Sequence, residues 1–416
     1  MSTFRFLYNF RIGFNKKFGV VNILNNCYKS IRILSTMTTP HKLCMVPGPV
    51  EFHEDVLTSM STPSDSHVSP SFIPIFGESI ELLRKLFFTN KGQPFIVSGS
   101  GTLGWDMVAS NLVEPGEDVL VVNTGYFGDS FYECLKVYGA KVTQAKAEIG
   151  DRPSLETIAD ILISKKFKAI TITHVDTSTG VIVDVKAIAE LVKQKSPDTL
   201  IIVDGVCSAG AEEIRVDEWG LDVVLTASQK ALGVPPGLSI VIASERAIGV
   251  YKQRKSPITS YYASWAHWLP IMIAYESRKG AYFATPPVQL IYALNTSLKL
   301  ITSIPLETRF QQHKETSNRV KDTIEAMGLR FIPKSREIAA NGMTAVYYPE
   351  GIQALDLLPK VAGHNILIAG GLHKSIASKY FRIGHMGISV TEPNRGHIDK
   401  TIESLEISLK ELGYKK

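Results

Sequence analysis

Three short stretches hold residue types able to do chemistry, and each follows a run of apolar, β-branched residues. Thr226-Ala-Ser-Gln-Lys-Ala231 sets Lys230 among small neighbours at a strand end. Burial there depresses a lysine's pKa, which leaves its lone pair free to form a Schiff base with an aldehyde. The alternative is a surface lysine whose stem lies along apolar neighbours. Asp204 ends the run Leu200-Ile-Ile-Val-Asp204. A buried carboxylate needs a cation or hydrogen-bond donors, because unpaired burial costs several kcal/mol. A helix cap or a structural ion pair would also account for it. Ser98-Gly-Ser-Gly-Thr102 follows Pro94-Phe-Ile-Val97 and opens a helix-like stretch through Trp105. Its glycines let main-chain N–H groups approach an anion, and a helix N-terminus adds partial positive charge. Ser100 and Thr102 add hydroxyl donors. No Gly-Lys-Ser/Thr follows, so it is not a P-loop. A tight turn capped by Ser is the plainer reading.

Each signal is weak alone. Together they place an anion site, a strand-end carboxylate and a strand-end lysine on one sheet, and open α/β sheets bind ligands outside the strand ends. A phosphate cradle, an anionic partner for a pyridine nitrogen and a Schiff-base lysine are what pyridoxal 5'-phosphate requires.

The elements that would position these groups run from about residue 80 to 245. Apolar runs at 118–122, 168–173, 199–204, 222–227 and 238–244 alternate with helical spacing such as 154–164 and 185–194. Runs without alternation are buried on both faces, as in a parallel sheet covered by helices. The last two runs are joined by the short turn Ser228–Gly237, so the final strand is expected to run antiparallel. The expectation is an α/β three-layer domain over 63–287. After Pro286-Pro287 the pattern changes to long amphipathic helices (288–327), shorter strands (344–348, 366–368, 380–383) and a closing helix (397–412). That predicts a smaller α+β domain over 288–416, with 37–62 as an N-terminal arm.

The 416 residues carry a formal charge of +5, unevenly spread. Six basic residues (Arg5, Arg11, Lys16, Lys17, Lys29, Arg32) precede Met37, and no acid appears before Glu51. Taking those six from the 45 Lys and Arg leaves 39 against 40 Asp and Glu. A basic, acid-free segment over 1–36 has the composition of a mitochondrial transit peptide, or of a basic arm without an addressing role. Met37 offers a second start and a leaderless cytosolic or peroxisomal form. The near-neutral body points to no nucleic-acid partner. No apolar run is long enough for a membrane span, the longest being Trp268–Tyr275. Cys27, Cys44, Cys134 and Cys207 are scattered, which suggests neither a disulfide framework nor a zinc site.

The chain resembles the class V aminotransferases of fold type I, and most closely their fungal alanine–glyoxylate group. The resemblance runs from Met45 to the C-terminus. It rests on Pro47-Gly-Pro49, Ser98–Asp106, Thr173-His-Val-Asp-Thr-Ser-Thr179, Val203-Asp-Gly-Val-Cys-Ser208, Ala227-Ser-Gln-Lys-Ala231, Lys279–Pro287 and Phe381-Arg-Ile-Gly-His-Met-Gly387. It implies a mostly parallel seven-stranded sheet and a homodimer with shared active sites. Lys230 would carry the Schiff base and move the substrate proton. Asp204 would pair with the pyridine nitrogen and Thr177 would lie near the ring hydroxyl. Ser100, Gly101, Thr102 and Gln229 would hold the phosphate, and Tyr282 and Thr285 would reach the phosphate in the neighbouring subunit. Arg382 would grip the substrate carboxylate, while Gly48 and Gly371 would line a pocket for small substrates. Phe127 would stack on the ring where animal members carry Trp, losing the indole N–H. His174 and Trp105 could approach the ring or serve as buried structure.

The implied reaction moves the amino group of alanine to glyoxylate, giving pyruvate and glycine. Serine as donor is the nearest alternative, since one hydroxyl is a fine discrimination. Cysteine desulfurase shares the fold but needs a mobile cysteine in the C-terminal half, and none follows Cys207. A nicotinamide-dependent reductase would demand a dinucleotide fingerprint, and none is expected in this chain. A non-catalytic binding protein on this fold would be expected to lack Lys230 or Arg382.

Overall fold

A computed structural model describes residues 41–416. The leader expected over 1–36 lies outside the described residues.

The central sheet has seven strands: β1 (Gln93–Ser98), β2 (Asp118–Asn123), β3 (Lys141–Lys146), β4 (Ala169–Thr173), β5 (Leu200–Asp204), β6 (Val223–Ala227) and β7 (Leu238–Ala243). Their order is β1-β7-β6-β5-β4-β2-β3. β7 runs antiparallel to both β6 and β1, and the other pairs are parallel. The short turn after β6 thus produces the antiparallel strand that it predicts. Strands β4, β5, β6 and β7 are buried along their whole length, as apolar runs without alternation require. β3 is not among the expected apolar runs. This edge strand is polar and half-exposed, Lys-Val-Thr-Gln-Ala-Lys, so no apolar run marks it.

Helices cover both faces. α1 (Phe72–Leu86) buries Phe72, Phe76, Ile80, Leu83 and Leu86, a spacing of three and four that makes one apolar stripe. α2 (Gly101–Leu112) and α3 (Tyr126–Val137) begin at the carboxyl ends of β1 and β2. α4 (Leu155–Ser164) starts at Ser154, whose side chain accepts from the Thr157 N–H, and α5 (Val185–Lys195) starts at Asp184, which accepts from Ala187 N–H.

Helix α6 (Val288–Ile301) falls in the segment expected to form the smaller domain. Its buried residues Ile291, Leu294 and Leu298 belong instead to the core that includes Phe72, Phe76 and the central strands. Its apolar face meets that of α1, so packing rather than the Pro-Pro break decides where it lies. α7 (Leu306–Ala326) and α8 (His397–Glu411) contribute Val320, Ile324, Leu405 and Leu409 to a second core. There they meet a three-stranded antiparallel sheet, β8 (Met343–Tyr347), β10 (Tyr380–Gly384) and β9 (Ala369–Gly370), in that order. Ile366–Leu367, within the expected strand 366–368, pairs in parallel with Leu43–Cys44. Among the described residues no helix is long and apolar enough to cross a membrane, and no cluster of His, Cys, Asp and Glu suits a metal ion.

Candidate active site

The carboxyl ends of the parallel strands converge on one set of buried polar groups. β6 leads into the tight turn that carries Lys230. Ser228 ties that turn to Pro235 through its hydroxyl (2.8 Å), and Gly233 N–H returns to the Lys230 carbonyl (2.8 Å). Arg309 of α7 reaches in from the other side, donating to the carbonyls of Gly210 (2.7 Å) and Ala231 (2.8 Å). Lys230 itself is buried, and burial pulls its pKa below the ordinary lysine value. Cys207 pulls the other way, Arg382 pushes in the same direction as burial, and Asp204 opposes it more weakly. Nζ donates to the Pro47 carbonyl.

Pro47 and Gly48 belong to an arm held between the two sheets. Gly384 N–H donates to the Met45 carbonyl (2.7 Å), and Val50 N–H donates to the Gln229 carbonyl (3.1 Å). Gly48 has φ +99°, and a Cβ there would sit 2.6 Å from Lys230 Nζ. Only glycine lets this segment cross the lysine.

Asp204, at the end of β5, is 3% exposed. Oδ1 accepts from Val206 N–H (2.9 Å) and Oδ2 from the Trp105 indole N–H (2.8 Å). Burial pushes its pKa up to about 6. Among the described residues no cationic side chain lies within ion-pairing distance of it. A carboxylate held so is fitted to a cation arriving from outside the chain, as a protonated pyridine nitrogen is.

The anion cradle lies across the strand ends. Ser100 precedes α2 without capping it, so the helix's first N–H groups are left for another acceptor. Ser100 and Thr102 are exposed, while Gly101 is packed so tightly that a Cβ would fall 2.8 Å from Val206 Cγ2. The Gln229 Oε1 and His174 Nδ1 atoms are buried without a partner, and burial lowers the His174 pKa to about 4. Orphaned polar atoms at the strand ends and an uncapped helix end fit a bound phosphorylated ring. Contrary to the expectation that the chain has no dinucleotide fingerprint, Gly99, Gly101 and Gly104 have the G-x-G-x-x-G spacing of such a turn. Here the turn follows an edge strand and faces the Lys230 turn, Gly99 N–H donating to the Gly237 carbonyl (2.9 Å).

Phe127 stands half-buried in the first turn of α3, its ring edge-on to Trp105 with centroids 6.4 Å apart. Thr177 is buried, and its carbonyl accepts from Arg382 Nη1 (3.1 Å), while Arg382 Nε donates to Gly370 (2.8 Å). Burial lowers the Arg382 pKa, and among the described residues no carboxylate pairs with it. A buried guanidinium bonded only to carbonyls is a ready partner for a substrate carboxylate. Gly371 follows the carbonyl that holds Arg382, and a Cβ there would lie 2.6 Å from the Tyr380 ring. Tyr282 and Thr285 are exposed on this chain; Tyr282 leans on His67 with ring centroids 5.1 Å apart.

Sequence reasoning gave no role to Asp176, Arg309 or Tyr380. Asp176 caps α3, and Tyr380 joins three segments by donating to Ser178 and accepting from the N–H groups of Leu372 and His373 (2.9 Å each). Their signal is burial of polar side chains, which only the fold reveals.

Comparison with known proteins gives the arrangement its context. The chain is 42% identical over 385 residues to alanine–glyoxylate aminotransferase 1 of Saccharomyces cerevisiae, covering 90% of this chain and 99% of that one. It is 32% identical to the serine–glyoxylate aminotransferase of Arabidopsis thaliana, covering 89% and 90%. The crystal structure of an alanine–glyoxylate aminotransferase from Nostoc sp. superposes with TM-score 0.83 at 30% identity, covering 89% of this chain and 96% of that one. The fold is that of the fold-type I pyridoxal-phosphate aminotransferases. With residues 34–390 matching the family model described as aminotransferase class-V, this chain belongs to the class V aminotransferases.

Proposed function

We propose that this chain transfers the amino group of alanine to glyoxylate, releasing pyruvate and glycine, with pyridoxal 5'-phosphate bound to Lys230. The observation that carries the reading is the pair Lys230 and Arg382. A buried amine, kept toward its neutral form by burial and by the guanidinium beside it, faces an arginine that has no carboxylate of its own.

Ser100, Gly101, Thr102 and Gln229 would hold the phosphate, Asp204 the ring nitrogen, and Phe127 a ring face. Bound there, the cofactor supplies an electron sink for the charge left at the substrate Cα. Arg382 orients the substrate by its carboxylate with a planar fork that lysine cannot supply. Once the substrate amine has displaced it from the cofactor, Lys230 Nζ would take the Cα proton of alanine and return a proton in the next step, and burial, which lowers its pKa, favours the neutral base that this needs. Gly48 keeps the space above Nζ open for a small side chain.

Support for alanine comes from the 42% relative, and for serine as a second donor from the plant relative at 32%. The test is absorbance of the purified chain with cofactor, then addition of alanine alone. Loss of the visible band with one equivalent of pyruvate, restored by glyoxylate, supports the proposal. A band that persists with alanine and collapses with serine moves the donor to serine. No band at all, unchanged by Lys230→Ala, removes the reading.

The reading extends to a homodimer. Tyr261, 75% exposed, stands in an aromatic cluster with Phe283, His267 and Tyr262, and Tyr282, 65% exposed and next in sequence to Phe283, lies against His67. A single chain leaves such a patch in water, where a second copy would cover it. Light scattering of the holoenzyme measures this directly. The basic leader supports a mitochondrial address and a part in glycine supply; cell fractionation of the full chain and of a chain beginning at Met37 tests the address.

A further inference from the structure

Trp105 lies on α2 one turn beyond the anion cradle, 5% exposed, and its indole does two things at once. One face stacks on Phe131 (centroids 5.3 Å apart, planes at 13°), and its edge relation to Phe127 links it to the residue assigned to the cofactor ring. Its Nε1–H donates to Asp204 Oδ2 at 2.8 Å. Core packing alone does not explain that bond. Trp265, another fully buried indole, leaves its Nε1–H without any partner, so this fold tolerates a buried indole whose N–H is unused. A phenylalanine would also fill most of the space against Phe131.

From this geometry, and resting on the cofactor reading above, we infer that Trp105 is a positioning residue: its indole N–H fixes the Asp204 carboxylate in its ionised form and in one orientation toward the cofactor's ring nitrogen. Val206 N–H holds the other oxygen at 2.9 Å, so both oxygens are anchored by neutral donors and each keeps a lone pair for the incoming cation. The donors are needed because Asp204 is otherwise badly placed for charge. Burial disfavours its anion, and Asp176, on the short hairpin beyond β4, repels it. Lys230, from the turn after β6, is the cationic group that opposes them. The indole also gives one rigid body contact with both the ring-nitrogen partner on β5 and the stacking platform on α3.

The test compares full-length wild type, Trp105→Phe, Asp204→Asn and the double variant, each freed of cofactor and titrated with pyridoxal 5'-phosphate from pH 5 to 8. Trp105→Phe keeps the stack and deletes only the donor. Its dissociation constant is expected to match wild type closely at pH 8, to be about fivefold weaker at pH 6 and to approach about tenfold weaker at pH 5. That is the effect of moving the acid limb up by about one unit. The ligand's own ionisations are common to all four proteins, so a difference between limbs belongs to Asp204. Adding Trp105→Phe to Asp204→Asn is expected to change nothing further, since the indole acts through the carboxylate. A loss in Trp105→Phe that is equal at every pH and is repeated in the Asp204→Asn background overturns the inference, because it marks a packing role. Absence of any lysine-bound band in wild type would instead sink the cofactor reading, and is seen before a variant is compared.

Discussion

Asp176 holds the amino end of the helix that carries Phe127. One carboxylate oxygen accepts from the N–H groups of Phe127 (3.0 Å) and Gly128 (3.3 Å), and the other accepts from Ser178 N–H (2.9 Å) and Ser178 Oγ (2.6 Å). The Ser178 hydroxyl in turn accepts from Tyr126 N–H at 2.9 Å. Gly125, at the cap position, has no side chain to do this, and a Cβ there would come within 2.6 Å of Asp176 Cγ. A residue 49 positions beyond Phe127 therefore supplies the cap, and its burial is compensated by four donors.

Asp176→Ala leaves those donors without an acceptor. The expected cost is about 2–3 kcal/mol, from the lost cap and the buried unsatisfied N–H groups. Chemical denaturation of the chain freed of cofactor measures it. Cofactor affinity should fall as well, since α3 carries the stacking residue. A variant as stable as wild type would show that α3 is held by packing alone.

Gly48→Ala is predicted to separate folding from function. A Cβ would stand 2.6 Å from Lys230 Nζ, on a backbone with φ +99° that costs a non-glycine residue about 1–2 kcal/mol. The lysine side chain must yield. Turnover is expected to fall roughly a hundredfold, an effect of about 3 kcal/mol on the barrier, while far-UV dichroism stays unchanged. Activity within a few-fold of wild type would mean that the arm moves aside freely.

How much of this was legible beforehand follows from what each residue advertises. Lys230, Asp204 and the Ser98–Thr102 turn sit at the ends of apolar runs, so a period and a polarity change mark them. Strand β3 has no such run, because an edge strand between polar helix and solvent has only one buried residue, Ala145. Helix α6 was legible as a helix but not in its packing, since an amphipathic pattern shows that a face is buried and not against what. Asp176, Arg309 and Tyr380 were out of reach for a different reason: each bonds main-chain groups of residues tens to hundreds of positions away, such as Tyr380 with Ser178. Neither sequence spacing nor residue type signals that contact. Trp105 lay between these cases, visible within a motif but with its partner Asp204 ninety-nine positions on.

Arg382→Lys tests carboxylate recognition. The guanidinium spends Nε on Gly370 and Nη1 on Thr177, which fixes its plane. Lysine keeps the charge but neither anchor, so the ammonium is expected to be misplaced. kcat/KM for the amino donor should fall roughly a hundredfold, on the order of the 3 kcal/mol of a charge-assisted bond, with most of the change in KM. An unchanged KM would move the carboxylate site elsewhere.

The pH dependence of stability turns on Asp204. Its folded pKa of about 6 lies above the ordinary value of 3.8, so the folded chain without cofactor binds the proton more tightly than the unfolded chain does. The protonated form is therefore favoured by folding. That contribution is fully present below pH 3.8 and is lost as pH rises to about 6, after which it stays lost. Over that window the wild-type apo chain should lose on the order of 2–3 kcal/mol relative to Asp204→Asn, which cannot ionise there. The absolute stability of Asp204→Asn also reflects its bonds to Trp105 and Val206, so the quantity to compare is the change between pH 4 and pH 7. Urea unfolding of both apo proteins at those two values gives it. A gap that widens with pH, closing again when cofactor is added to wild type, is the expected result: the cation that the carboxylate lacks is then in place. Equal slopes for the two proteins would mean that Asp204 already ionises freely in the empty site, and that its burial carries no stored demand for a partner.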